Sequence, residues 1–143
     1  MAFEVIGTGL LIMFITTVIH AVFMMAINSV LEWRLARFGP TRGHIDRAVL
    51  VSVLALWMFL AIVIEVWMWA LLYLYDPSIT TLPDMETAFY FSMVTFTTLG
   101  YGDVVLTGQW RALASIQAAN GVIVFGWTTA LIFYFMQRIY KSD

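Results

Sequence analysis

Leu82-Pro83-Asp84-Met85-Glu86-Thr87-Ala88-Phe89-Tyr90-Phe91-Ser92-Met93-Val94-Thr95-Phe96-Thr97-Thr98-Leu99-Gly100-Tyr101-Gly102-Asp103 reads as a short apolar helix running straight into a glycine-bearing segment, and its length decides the architecture. Pro83 suits a first helical position and Thr81 an N-cap, while Asp84 and Glu86 fall in the first turn, where carboxylates interact favourably with the helix dipole. From Pro83 to Phe96 such a helix measures roughly 20 Å at about 1.5 Å per residue, well short of the ~30 Å hydrocarbon core of a bilayer. Because it lies between two membrane-length apolar runs, the segment is expected to enter the bilayer and return to the side it came from. Irregular backbone cannot face lipid, so residues 98–103 must be buried in protein or line water.

The flanks supply the membrane. Val5 to Ile27, Ala48 to Tyr75 and Ala112 to Met136 each meet or exceed the roughly 20 residues that cross a bilayer as helix, in a chain that is 62% hydrophobic and 11% charged. The runs lack the polar faces that buried helices of a soluble protein would show. The expectation is an all-α membrane protein, one domain over residues 1–143, with spanning helices at 4–30, 48–75 and 110–138. The first run is preceded by Glu4 instead of Lys or Arg and exceeds the ~7 to 15 residues of a signal-peptide core, so it is expected to be retained. Cysteine is absent, which removes disulfides and thiolate metal sites. A net charge of −2 and the lack of a basic stripe argue against nucleic acid as a partner.

Charge also sets the orientation. Glu32 to Arg47 carries Arg34, Arg37, Arg42 and Arg47 around a Gly39-Pro40 turn signal, the positive loop expected on the cytoplasmic side. That places the N-terminus outside and the C-terminus, with Arg138 and Lys141, inside; Asp76 to Glu86, acidic and without a cation, fits the external side. Two arginines at a helix end are orientation signals and anchors, whereas a voltage sensor needs several charges within the membrane.

Gly100 and Gly102 permit left-handed backbone, so that successive carbonyls can point to one side and form a column of oxygens. A dehydrated monovalent cation needs several such oxygens around it, and one chain offers one strand, so copies must surround an axis. At this point Thr97-Thr98-Leu99-Gly100-Tyr101-Gly102-Asp103 closely resembles the potassium channel signature, usually written T-V-G-Y-G-D. The resemblance runs from about Pro83 to Met136; within it Asn120-Gly121-Val122-Ile123-Val124-Phe125-Gly126 looks like the family's glycine-hinged inner helix. The first span has no counterpart in two-span members of the family.

The resemblance implies a homotetramer with an outer helix at 48–75, a re-entrant pore helix at 83–97, a selectivity filter at 98–103 and an inner helix at 110–138. It implies that the carbonyls of Thr98, Leu99, Gly100 and Tyr101, with the Thr98 hydroxyl, replace the hydration shell of potassium, which is the permeant ligand; no other cofactor is expected. Tyr101 would brace the filter by packing, and Asp103 would sit at the outer mouth and tie the filter to the pore helix. Leu99 stands where valine is commonest, Tyr90-Phe91 where some members have paired tryptophans, and Val94 where some have a buried glutamate, so Asp103 lacks that partner. Matched by the glycine, Val122, Phe125 and Thr129 would face the cavity below the filter. Gly121 is either a hinge or a close-packing site, and Gly126 is read as packing.

His20, Glu65 and Asn120 lie inside apolar runs, where an ionisable or polar group needs a partner. By depth Glu65 and Asn120 are expected to meet. Two readings stand side by side: a structural tie between outer helix and pore, or a pH sensor built on Glu65 and His20. Trp57, Trp67, Trp69 and Trp110 suit interfacial belts and packing. No nucleophile, metal-ligand spacing or phosphate loop accompanies His20 and His44, so an enzyme is not expected. The remaining alternatives are a non-conducting sensor or accessory subunit and the membrane subunit of a potassium transporter. So few residues follow Met136 that regulation is expected from the membrane, pH, the filter or a separate partner; the small size favours a prokaryotic inner membrane.

Overall fold

The computed structural model describes residues 2–39 and 43–140, so Pro40, Arg42 and Lys141, on which part of the turn and charge reading rests, lie outside the described residues. The elements are α1 (Ala2–Phe38), α2 (His44–Tyr75), α3 (Met85–Phe96) and α4 (Trp110–Tyr140), with no strand among the described residues. Helices α1, α2 and α4 are long and apolar enough to cross a membrane.

Local chemistry sets where each helix ends. The first helix outlasts the apolar run because nothing between Leu31 and Phe38 breaks it; it stops at Gly39, whose φ of 76° is left-handed and whose N–H donates to the Leu35 carbonyl at 2.9 Å. Helix α2 starts after Gly43 (φ 93°) and ends where the Asp76 N–H donates to Leu72 O at 3.2 Å, just before Pro77. The start of α3 differs from the expectation. Asp84, not Thr81, is the N-cap: it is extended, its carboxylate accepts the Thr87 N–H at 2.8 Å, and Pro83 precedes the cap instead of opening the helix. An acceptor three residues ahead of a free N–H outweighs the proline's helical φ.

Numbering contacts across the bundle gives its directions. Gly9 lies against Leu113 and Ile116, Thr16 bonds to Asn120, His20 to Thr128 and Glu32 to Arg138, so α1 and α4 run parallel. Helix α2 runs antiparallel to α1, with Trp57 Nε1 donating to Phe23 O at 3.0 Å and Arg34 paired with Asp46 at 2.6 Å. The short α3 packs between α2 and α4 in one half of the bundle, in a core of Trp69, Tyr73, Phe91, Phe96, Leu113 and Val124. The other half is closed by Ile27 and Leu31 of α1, Leu54 and Met58 of α2, and Phe135 and Ile139 of α4.

Gly9 makes the α1–α4 approach feasible, since a Cβ there would stand 2.8 Å from the Ile116 side chain and 2.9 Å from that of Leu113. The outward face of α1, with Leu10, Leu11, Phe14 and Met25, is exposed and apolar, as a surface in hydrocarbon requires.

Candidate functional site

The C-terminal end of α3 shapes the segment that follows it. Thr97 N–H donates to Met93 O at 3.0 Å, Thr98 N–H to Thr95 O at 2.9 Å, and the N–H groups of Leu99 and Gly100 to Val94 O at 3.0 and 3.2 Å. Carbonyls that any helix leaves unpaired at its end thereby collect the N–H groups of the next residues. The carbonyls of Thr98, Leu99, Gly100 and Tyr101 accept no backbone hydrogen bond among the described residues. They are the free face of the segment.

Its dihedrals alternate. Thr98 (φ 59°), Gly100 (φ 54°) and Gly102 (φ 80°) are left-handed, and the intervening Leu99 and Tyr101 are not. Alternating sign of φ turns successive peptide planes so that their carbonyls fall on one side, instead of opposite sides as in a strand. Thr98 is the single non-glycine residue with positive φ among those described, a strain of roughly 1–2 kcal/mol that the four bonds to α3 hold in place.

Asp103 is tied to α3 by a partner that the sequence reading did not name. Tyr90 Oη donates to Asp103 Oδ2 at 2.7 Å, and this bond holds the Asp103 carboxyl below its ordinary range while pushing the Tyr90 phenol up. Tyr90 is thus the side-chain partner that Asp103 finds on α3, with valine at position 94. Val94 instead lines a cavity of about 220 Å³ behind the segment, together with Tyr90, Phe91, Gly100, Asp103 and Arg111. Leu99 and Tyr101 are exposed on the single chain.

Beneath the segment, α4 is positioned by Gly121. A Cβ there would overlap the Phe96 carbonyl oxygen and stand 2.8 Å from its carbon, so glycine is what lets α3 end against α4. Gly121 is therefore a packing site. Within the chain Gly126 is open, and a Cβ there would meet nothing within 4 Å. Phe125 stacks edge-on against Phe96 at 6.2 Å, and Val122 and Thr129 are exposed on the uncovered side of α4.

The buried polar residues pair differently from the expectation. Glu65 does not bond to Asn120. His20 Nδ1 lies 2.9 Å from Glu65 Oε1 and His20 Nε2 lies 3.1 Å from Thr128 Oγ1, while Asn120 Nδ2 donates to Thr16 Oγ1 at 2.7 Å. The reason is α1, whose Thr16 and His20, one turn apart, each take one of the two. His20, Glu65, Thr16 and Asn120 have no exposed surface. A second network was missed: Tyr73 Oη donates to Gln117 Oε1 at 2.8 Å and Gln117 Nε2 to Ser92 O at 3.2 Å, joining α2, α4 and α3. Gln117 carried the same signal as Asn120, a polar residue in an apolar run.

Residues 51–138, from α2 through α3 and the alternating segment into α4, match the model of a family described as ion channel. The chain belongs to this ion channel family. It is a membrane protein of a class that passes ions, and the matched stretch contains every element that shapes residues 97–103. Helix α1 lies outside that stretch. No curated protein and no solved structure gives a significant match.

Proposed function

We propose that the chain is the pore-forming subunit of a potassium-selective channel that conducts passively as a homotetramer, with residues 98–103 as filter. The observation that carries this is the alternating backbone at Thr98, Gly100 and Gly102, with N–H groups drawn to α3 and four consecutive carbonyls unused. Four copies around an axis surround each ion with rings of carbonyls from Thr98, Leu99, Gly100 and Tyr101, and the Thr98 hydroxyl closes the inner end. Leucine at position 99 leaves the ligand unchanged, because the ligand is backbone.

In this reading α3 is the re-entrant pore helix, α2 the outer helix and α4 the inner helix. Leu99, Tyr101, Val122 and Trp127, exposed on one chain, are covered by neighbouring copies or line the pore. Tyr101 braces the filter by packing on a neighbour. Asp103, kept ionised by Tyr90, concentrates cations at the outer mouth. Val122, Phe125 and Thr129 line the cavity, and Gly121 seats the filter's support on the inner helix. The N-terminus is outside, with Arg34, Arg37 and Arg47 on the cytoplasmic side of a cell membrane.

The test is potassium flux through purified protein in liposomes, with sodium as comparison and Gly100→Ala as control. An alanine at φ 54° is strained whatever space surrounds it, so the variant is expected to lose flux and keep its fold. Sodium passing as readily as potassium, or no flux from a folded tetramer, overturns the proposal.

A further inference from the structure

Helix α1 lies outside the stretch shared with the channel family, yet it is bonded to α4 at three levels. Asn120 meets Thr16, Thr128 meets His20 and Arg138 meets Glu32. The middle level is the most demanding chemically, because His20 and Glu65 are both wholly buried and would lie deep in hydrocarbon. Glu65 Oε2 has no hydrogen-bond partner, so the carboxyl depends on His20 alone.

We propose that His20, Glu65 and Thr128 form an intramembrane polar site that latches α1 to the back of α4 and so holds the inner helix away from the pore axis. The inference rests on the reading of α4 as pore-lining. At 100° per residue, the α4 positions that touch α1 (Leu113, Ile116, Asn120 and Thr128) fall on the side roughly opposite Val122 and Thr129. Above the latch, α4 is pinned to α3 at Gly121. Below it, movement of α4 toward the axis must break the Thr128–His20 bond or draw α1 along. Because His20 is wholly buried, breaking the bond leaves its Nε2 without a partner.

The proton count follows from burial. With one proton shared between imidazole and carboxylate the pair is neutral overall. Removing that proton leaves a lone anion and adding a second leaves a lone cation, both unfavourable in hydrocarbon. No other charge relieves either state. Between Glu4 and Glu32 α1 has no titratable residue besides His20, α4 has none between Arg111 and Tyr134, and α2 has only Glu65 between Arg47 and Tyr73. Tyr73 is bonded to Gln117; α3 contributes only Glu86 and Tyr90, and Tyr90 is bonded to Asp103. The non-titrating neighbours are Thr16 and Asn120 and the Trp127 ring, 6.4 Å from that of His20.

Thr128→Val keeps the shape of the side chain and removes only the bond from α4. In single-channel recordings it is expected to lower the opening equilibrium about five- to tenfold, the equivalent of one buried hydrogen bond, with potassium over sodium selectivity unchanged. Unchanged opening in Thr128→Val overturns the latch.

A second measurement needs no conduction. Thr128→Val is expected to lower the melting temperature of the purified protein, and to lower it no further in a His20→Leu background; additive effects overturn the bond itself. A non-conducting wild type with a non-additive cycle would refute the channel reading and leave the contact standing.

Discussion

Replacing Gly121 by alanine puts a methyl group where the structure has the Phe96 carbonyl. The Cβ would overlap that oxygen and stand 2.8 Å from its carbon, so α4 or the last turn of α3 must retreat before the pair reaches ordinary van der Waals contact at about 3.5 Å. Neither can do so freely. Phe96 is buried with no exposed surface, and its turn supplies Met93 O, Val94 O and Thr95 O, which accept the N–H groups of Thr97 through Gly100. Overpacking costs about 1–3 kcal/mol, and losing two of these hydrogen bonds adds about 2 kcal/mol at ~1 kcal/mol each. Alanine regains about 1 kcal/mol of helix propensity, so the net loss is roughly 2–4 kcal/mol, a large share of the ~5–15 kcal/mol typical of a folded domain. The expected result is a lower melting temperature of the purified protein and loss of potassium flux. Gly126→Ala is the control: its Cβ meets nothing within 4 Å of the same chain, and it should melt at or above the wild-type temperature. A Gly121→Ala protein as stable and as conductive as wild type would refute the close approach of α3 to α4 and the support of residues 97–100 that follows from it.

Two further outcomes concern Asp103 and the N-terminus of α3. Tyr90→Phe removes the bond that lowers the Asp103 pKa, so the carboxyl should return toward its ordinary range near 4. A depressed carboxylate contributes above its unfolded pKa and loses that contribution as pH falls through the folded one; flux in the variant should accordingly fail at a higher external pH than in wild type, and coincident acid profiles would count against the tie. At the N-cap of α3, the Thr87 N–H and hydroxyl hold the Asp84 pKa down. Asp84→Ala should melt lower than wild type near neutrality, Asp84→Asn should lie close to wild type, and the difference between wild type and Asp84→Ala should shrink in strong acid; equal melting of all three would show the cap to be idle.

The sequence alone determined the class of the molecule, because the bilayer imposes lengths and the lengths are visible. Three runs of spanning length and one that is too short could be read without coordinates, as could the glycines that make residues 98–103 unlike a helix or a strand. The ion channel match over residues 51–138 bears out the family in its coarser form. Tertiary structure decided the partners. Helix starts hang on a single side-chain reach, so Asp84 displaced Thr81 and Pro83. Depth along separate helices gives a level but not an azimuth, so Glu65 and Asn120 could be ranked together and still face different residues of α1. The choice between hinge and packing at Gly121 stayed open for the same reason: a glycine looks alike in every helix, and only the neighbour that approaches it, here the Phe96 carbonyl, makes the missing Cβ matter. The place of α1 followed likewise from pairing across helices, since its uniformly apolar face toward lipid says nothing about which polar residues on its hidden face will find one another.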